Sequence, residues 1–454
     1  VTSWALNLLY CGLIAMFSPL LLFRSLWQGK YRQGWGQKFL GRVDVRTSTG
    51  PAIWLHAVSV GEVLILRTLI PPLRERVPGC EIWISTTTHT GYAVAKEKYP
   101  DCKLIYFPLD FTWAVKNALD RVKPSIVVLV ELELWPNFIR EVDSRLIPLV
   151  LINGRMSPRS FRGYRRIRWF MSGLWKHFTR MAVQTEEIQN RLLSLGALQD
   201  RIVVTGSTKY DGIETNRQNP RTQAIRRQFG IGDEETVFIS GSTQAPEEGY
   251  AIDTYLSLRD RFPRLRLVLV PRHQERFEEV AGLVTSRGLP LLRRSAIKAK
   301  LSPSGESTVP VDSLVIRASS ASNIAEKPIL MLDTLGELGA AWGLADIAFV
   351  GGSLSKRGGQ NMIEPAAYAA AVLFGPNTMN FRQVVELLLS ANAARVVHSA
   401  EELRQVVGEF LERPDLARQL GETARSVVLK QQGATSRTTE LIVEALRRRS
   451  GHIE

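Results

Sequence analysis

Two rhythms of apolar and polar positions run along this chain. Short apolar runs, "AIWLHAV" (52–58), "CEIWIST" (80–86), "KLIYFPL" (103–109), "SIVVLVEL" (125–132), "PLVLING" (148–154), "MAVQT" (181–185) and "IVVTGS" (202–207), have the length and β-branched content of buried strands. Between several of them, as over 62–76 and 111–122, apolar residues recur at helical spacing. Strand and helix in alternation predict an α/β fold with a parallel, doubly wound sheet, because each crossover between parallel strands takes a helix's worth of chain. The rhythm breaks over the polar stretch 208–230, which reads as containing a linker. It restarts with "TVFISGS" (236–242), "LRLVLVPRH" (265–273), "PILMLDTLGEL" (328–338), "ADIAFVGGSL" (345–354), "AAVLFGPN" (370–377) and "ARVVHS" (394–399). Two successive Rossmann-like domains are expected, over 25–215 and 216–435, followed by a terminal helix over 436–454. The Ser/Pro-rich segment 295–327 reads as a loop excursion within the second.

The N-terminus has a different pattern. "WALNLLYCGLIAMFSPLLLF" (4–23) carries no formal charge. As a helix it would extend about 30 Å, the thickness of a bilayer's hydrocarbon core. Arg24, Lys30, Arg32 and Lys38 follow it and no basic side chain precedes it, so the positive-inside rule directs the body of the protein to the cytoplasm. A cleaved signal peptide would carry basic residues before the apolar run and a small-residue cleavage site after it. Residues 1–24 are therefore expected to form a single-pass anchor in the inner (plasma) membrane, with the catalytic domains on its cytoplasmic side. A buried core helix is the competing reading.

Composition sharpens this picture at three points. A chain of 454 residues is too long for one ordinary core, which agrees with two domains. A formal charge of +14 asks for an acidic partner: nucleic acid, anionic lipid or a phosphorylated substrate. The segment "RSFRGYRRIRWFMSGLWKHFTR" (159–180) interleaves Arg159, Arg162, Arg165, Arg166 and Arg168 with Phe161, Tyr164, Trp169, Phe170 and Trp175, which suits an anionic membrane interface. An amphipathic core helix with a solvated basic face would show the same spacing. No RNA- or DNA-binding signature accompanies the charge, so nucleic acid is not an expected partner. Cys11, Cys80 and Cys102 form no C-x-x-C pair and the six histidines show no ligand spacing, so neither a disulfide framework nor a metal site is expected.

Ligands of open α/β sheets bind beyond the carboxyl ends of the strands, which directs attention to the polar residues there. "WLHAVSVGEV" (54–63) delivers Glu62 to the first turn of a helix, either for the helix dipole or as a base for an acceptor hydroxyl. "VELELWPNF" (130–138) puts Glu131 and Glu133 on one face of a strand, where burial demands hydrogen bonds or a cation. "GSTKYD" (206–211) puts Lys209 near a strand end, either solvated or set to neutralise a carboxylate or phosphate. In "VPRHQERF" (270–277), Arg272 offers a guanidinium fork for a phosphate, or a solvated charge at a helix start. "FVGGSLSKRGGQNMIEPAAYAAAVLFGPN" (349–377) is a Gly-rich loop between strand and helix. Its amides at Gly351, Gly352, Ser353, Gly358 and Gly359 are expected to meet an anion, and Glu364 to accept from ribose hydroxyls.

"HAVSVGE", "STTTHTG", "VELELWPN", "NGRMS", "GSTKYD", "PRH", "DTLGEL" and "GGS…GGQNMIEPA" occur in this order across nearly the whole chain. In them, and in its N-terminal anchor, the sequence resembles the Kdo (3-deoxy-D-manno-octulosonate) transferases of lipid A synthesis. The polar excursion over 295–327 is longer than in that family and touches none of these motifs. The resemblance implies a GT-B architecture, two Rossmann-like domains facing across a cleft. It also implies an inverting, metal-independent transfer of Kdo from CMP-Kdo to the acylated, phosphorylated glucosamine disaccharide precursor of lipid A, with no cofactor. By motif match, Glu62 is the expected general base, and Glu131 and Lys209 stabilise the transition state. Pro271, Arg272, Leu335, Gly336, Glu337, Asn361, Met362, Ile363 and Glu364 are expected to line the CMP pocket. Two alternatives are a GT-B transferase using another nucleotide sugar on a membrane lipid, and a membrane-tethered basic nucleic-acid-binding protein.

Overall fold

The computed structural model describes residues 3–28 (backbone alone from 19), 34–300, 310–317 and 327–450. The chain divides into two units, Val1–Asp211 with Gln431–Glu454, and Gly212–Lys430.

In the first unit all seven apolar runs form strands: β1 (Ala52–His56), β2 (Glu81–Thr86), β3 (Lys103–Tyr106), β4 (Ile126–Val130), β5 (Leu149–Gly154), β6 (Arg180–Val183) and β7 (Ile202–Val204). They make one parallel sheet in the order β3-β2-β1-β4-β5-β6-β7. Helices cover both faces, which is why β1 and β4 are apolar and buried throughout instead of alternating. One face packs Trp54, Trp83, Phe138 and Trp175; the other packs Ile53, Leu55, Val128 and Ile152. Leu441, Ile442 and Leu446 of the last helix, Ala434–Ser450, join this second cluster, so the chain's end belongs to the first unit. The strand order reverses between β1 and β4, the position where open α/β sheets bind ligands.

The second unit repeats the architecture with β8 (Thr236–Thr243), β9 (Leu265–Pro271), β10 (Leu291–Arg293), β11 (Ile329–Met331), β12 (Ile347–Val350), β13 (Ala371–Phe374) and β14 (Arg395–Val396). They are parallel in the order β10-β11-β9-β8-β12-β13-β14, with the reversal between β8 and β12. The three residues of β10 are too few to register as an apolar run. The stretch read as linker contains the helix Pro220–Gln228, whose Asn219 side chain accepts from Thr222 N–H. Much of the expected excursion, 301–309 and 318–326, lies outside the described residues.

Among the described residues no helix is long and apolar enough to cross a membrane. The N-terminal helix is Ser3–Gln28, and the side chains of its second half lie outside the description. Its first turns are fastened to the first unit. The Asn7 amide donates to Thr112 Oγ1 and the Tyr10 hydroxyl to Asp110 Oδ2. Trp4, Leu8, Leu9, Leu13, Met16 and Phe17 are exposed along it. The single-pass span expected over 4–23 is thus not supported by any helix within the described residues.

Asp110 links this helix to the strand ends. Its carboxylate accepts from the backbone N–H of Asn137 (3.0 Å) and Phe138 (2.8 Å), the otherwise unpaired first amides of the helix Pro136–Ser144. That helix begins directly after the loop carrying Glu131 and Glu133. Asp110→Ala is expected to destabilise the protein by about 2–4 kcal/mol, since two buried amides lose their acceptor. The check is the urea midpoint, with Asp110→Asn losing less because it keeps one acceptor oxygen.

Candidate active site

In the first unit the reversal point gathers the expected residues from neighbouring strand ends. After β1 the chain turns at Val58-Ser59 into the helix Val60–Arg76. Ser59 caps it, and Glu62 closes a reciprocal capping box. Glu62 Oε2 accepts from Val58 N–H (2.8 Å), and Oε1 from the Ser59 hydroxyl (2.7 Å) and N–H (3.3 Å). The side chain is buried and has no cationic partner among the described residues.

The "STTTHTG" motif supports this turn from β2. The hydroxyls of Thr86 and Thr88 both donate to Val58 O (3.0 and 2.9 Å). Gly91 is needed there, because a Cβ would lie 2.6 Å from Thr86 Oγ1. Ser85 Oγ accepts from Trp54 Nε1 (2.8 Å) and lies 2.9 Å from His56 Nδ1. His56 stacks on Phe107 with centroids 3.7 Å apart, and burial pushes its pKa down to about 3, which keeps it neutral.

Glu131 and Glu133 do not share a strand face as expected, because β4 ends at Val130. Glu131 adopts φ +63°, which takes the chain out of the sheet, while its N–H still pairs with Ile152 O (2.9 Å). Its carboxylate accepts from Arg155 Nε at 2.7 Å. Burial raises its pKa, Arg155 opposes, and Glu62 and Lys209 also act on it. Lys209, in the turn Thr208–Tyr210, has its pKa lowered by partial burial and then by Arg155. Glu62, Glu131, Arg155 and Lys209 are therefore in electrostatic contact, coming from the ends of β1, β4, β5 and β7. Arg155 was not singled out from the sequence, although "NGRMS" contains it.

In the second unit Pro271 ends β9, buried, and Arg272 is exposed. The Arg272 guanidinium has no partner among the described residues, so it is available to an anion. Leu335 is exposed and Gly336 turns at φ +80°. Glu337 is already engaged. Burial would raise its pKa, but Arg294 (Nη2 2.9 Å), Thr334 and Lys298 hold it below the usual carboxylate range. Met362 and Ile363 have buried side chains and would offer only backbone to a ligand. Asn361 Nδ2 donates to Glu364 Oε1 (3.0 Å), and its Oδ1 accepts from Ile363 N–H (3.1 Å). A Cβ on Gly339 would lie 3.7 Å from Glu364 Oε2, so the 335–339 loop and Glu364 converge.

The Gly-rich loop departs from expectation. The N–H groups of Gly352 (2.7 Å), Ser353 (3.0 Å) and Leu354 (3.0 Å) donate to Glu247, which also accepts from Gln244 N–H (3.0 Å). Gly359 N–H is taken by Gly352 O (2.8 Å). Of the amides expected to meet a ligand phosphate, those of Gly352 and Ser353 instead hold a wholly buried internal carboxylate and that of Gly351 pairs with Gly241 O (2.9 Å), and the helix that follows, Ile363–Ala367, is only five residues long. Glu247 stands outside every recognised motif, and only its place at the end of the β8 turn, in the first turn of the helix Glu247–Leu258, signals it.

A family model described as 3-deoxy-D-manno-octulosonic-acid transferase (kdotransferase) matches residues 33–212. A 3-deoxy-D-manno-octulosonic acid transferase of Haemophilus influenzae is 30% identical over 97% of this chain and 98% of its own length. The chain belongs to the Kdo transferase family. Two solved structures share its fold at low identity. The UDP-GlcNAc 2-epimerase of Neisseria meningitidis, bound to UDP-GlcNAc, is 13% identical with a TM-score of 0.54 over 87% of this chain and 100% of its own. A glycosyltransferase of Rickettsia africae is 14% identical with a TM-score of 0.52 over 88% and 99%. This Kdo transferase family member is thus a glycosyltransferase built from two parallel-sheet α/β domains of GT-B type. Within it, Glu247→Gln is expected to cost about 2–4 kcal/mol, because the Gln amide group turns a donor toward backbone donors. The loss should appear in thermal unfolding and, at permissive temperature, as weaker nucleotide binding.

Proposed function

We propose that this protein transfers Kdo from CMP-Kdo to the acylated, phosphorylated glucosamine disaccharide precursor of lipid A. The observation that carries the reading is the 30% identity to a Kdo transferase over 97% of the chain. In this reading the acceptor hydroxyl attacks the anomeric carbon of Kdo as the bond to the CMP phosphate breaks, with inversion. Glu62 receives the hydroxyl's proton as general base. Lys209, with Glu131 orienting the cationic pair it forms with Arg155, stabilises the developing negative charge. In the second unit Arg272, with its free guanidinium, binds the donor's phosphate. The 335–337 loop and Asn361–Glu364 hold the cytidine and ribose, Met362 and Ile363 through their backbone.

Membrane attachment on the cytoplasmic side is part of the proposal. The exposed apolar side of the N-terminal helix and the exposed arginines at 159, 162, 165, 166 and 168, with Trp169, supply apolar area and positive charge for an anionic bilayer. Arg140 on the helix Pro136–Ser144 stacks over Phe170, while Asn137 on the same helix reaches Asn7, so one helix joins both elements.

The test is a product mass spectrum after mixing the protein with CMP-Kdo and the acylated, phosphorylated glucosamine disaccharide, with UDP-sugars as comparison donors. Addition of Kdo from the CMP donor alone is expected; transfer only from a UDP-sugar would replace the reading with that of another GT-B transferase. Glu62→Gln is expected to lower kcat at least about 10²-fold, the span general-base catalysis commonly supplies; because its amide also turns a donor toward the Val58 and Ser59 N–H groups, fold and CMP-Kdo binding are checked by thermal unfolding and nucleotide titration of the same variant. Near-normal turnover in that variant would remove Glu62 from the base role.

A further inference from the structure

At the β3 edge of the first sheet a lysine is held in place without a carboxylate. Lys38 lies in the helix Trp35–Leu40, and its Nζ stands 4.2 Å from the centroid of the Tyr106 ring. Tyr92 stacks on Tyr106 with centroids 4.5 Å apart and planes 13° from parallel, so the ammonium occupies the ring's other face. The backbone around them is fixed: Tyr106 N–H donates to Gln37 Oε1 (2.7 Å), and Leu109 N–H to Lys38 O (2.7 Å). Gly34, at φ +74°, presses so closely on the ring that a Cβ there would lie 2.2 Å from Tyr106 Cδ2.

These contacts fasten a short helix to the end of β3, but fastening does not need a charge. A ring face replaces only part of the water that a partly buried ammonium gives up. The partly buried Arg145, Arg276 and Arg293 each meet carboxylates, whereas Lys38 meets none among the described residues. Burial accordingly lowers its pKa with nothing opposing. His89, exposed at the start of the helix His89–Lys98, brings Nδ1 to 3.5 Å from Tyr106 Oη, so an imidazole flanks the same ring. The cluster is tied to the turn that carries Glu62. Tyr106 pairs in register with Thr86, whose Oγ1 donates to Val58 O (3.0 Å), and Val58 N–H is held by Glu62 (2.8 Å). Two strand spacings, about 10 Å, separate the end of β3 from that of β1, a distance that a phosphorylated sugar spans.

We propose that Lys38, with His89 beside Tyr106, forms a subsite for a phosphate carried by the acceptor sugar, while the hydroxyl to be glycosylated lies at Glu62. The proposal rests on the Kdo-transfer reading for the identity of the acceptor. The phosphate supplies the anion that Lys38 lacks, and its oxygens accept from Nζ and from an imidazole N–H. The Tyr106 ring holds the lysine in position before the ligand arrives, so less side-chain freedom is lost on binding. Lys38 is a binding residue, since it meets the acceptor away from the bond that forms.

The experiment is a donor-free titration of the full chain in detergent with the acylated disaccharide carrying its phosphates, and with the same molecule after phosphatase treatment. Wild type, Lys38→Met and Lys38→Arg are compared, each checked for a wild-type thermal unfolding profile; Met keeps the length and apolar stem of the lysine. Lys38→Met should weaken binding of the phosphorylated acceptor about tenfold, the loss of one charge-assisted contact, and Lys38→Arg should recover most of it. That difference should vanish with the phosphatase-treated acceptor. An equal loss on both acceptors, or no loss on either, overturns the proposal. Should Lys38→Met unfold early, His89→Gln on the surface carries the same test, and its loss must likewise depend on the acceptor's phosphate. Phosphatidylglycerol vesicles offer phosphate from the other source: a Lys38→Met variant that loses vesicle binding but keeps acceptor affinity assigns the lysine to the membrane and sinks the subsite. Because no donor is present, a phosphate-dependent loss stands even where CMP-Kdo proves not to be the donor. Wild type that binds neither form of the acceptor removes the acceptor of the transfer reading, and the subsite with it.

Discussion

Internal carboxylates that accept backbone N–H groups at strand ends are the constraint on which both units depend. A parallel strand that stops and turns into a helix leaves amides unpaired where the fold is least regular and ligands must be met. Water would satisfy them at the cost of a loose turn. Glu62 takes those of Val58 and Ser59 beyond β1, Asp110 takes those that open the helix after β4, and Glu247 takes four at the reversal between β8 and β12. Each exchanges solvent for charge-assisted bonds of about 1.5–3 kcal/mol apiece. Each also places a carboxylate at the edge of the sheet where strands end.

That negative charge explains the cations around it. In the first unit Arg155 pairs with Glu131, while burial first and then Arg155 lower the Lys209 pKa, so the lysine is less firmly charged. Glu133 is left without such compensation. Within one short loop burial raises the pKa of both carboxylates, and Arg155 opposes that rise at Glu131 but not at Glu133. Environments that push neighbouring titratable groups apart are how a site assigns acid and base roles. In the second unit Glu337 is tied to Arg294 and Lys298 and Glu248 to Arg276, while Arg272 is left open to an incoming anion.

Much of this was legible in the sequence. The seven strands of the first unit were readable because both faces of the sheet are covered, so each strand is a continuous apolar run with helical spacing between. β10 was not, being three residues long, and the helix Pro220–Gln228 was overlooked although Asn219-Pro220 is a cap followed by a first-turn proline. At the site, the ordered motifs pointed to Glu62, Glu131 and Lys209, which come from three strand ends. Three features stayed hidden. Glu131 leaves the strand through a positive φ that no side-chain pattern reports. Arg155 acts through a partner remote in sequence. Glu247 fills the Gly-rich loop from the other side of the reversal point, and a loop of glycines looks the same whether its amides await a ligand or already hold a carboxylate.

The Gly-rich loop also bears on how a nucleotide sugar is held without an amide cradle. With Gly352, Ser353 and Leu354 committed to Glu247, the nearby backbone is rigid and its dipoles are spent inward. In the proposed reading, recognition falls to side chains and to the next turns of chain: a guanidinium beyond β9, a loop turning at Gly336 beyond β11, and the Asn361–Glu364 pair. An anion that meets this edge of the sheet therefore meets the exposed Arg272 guanidinium, whose fork can engage two oxygens of one phosphate.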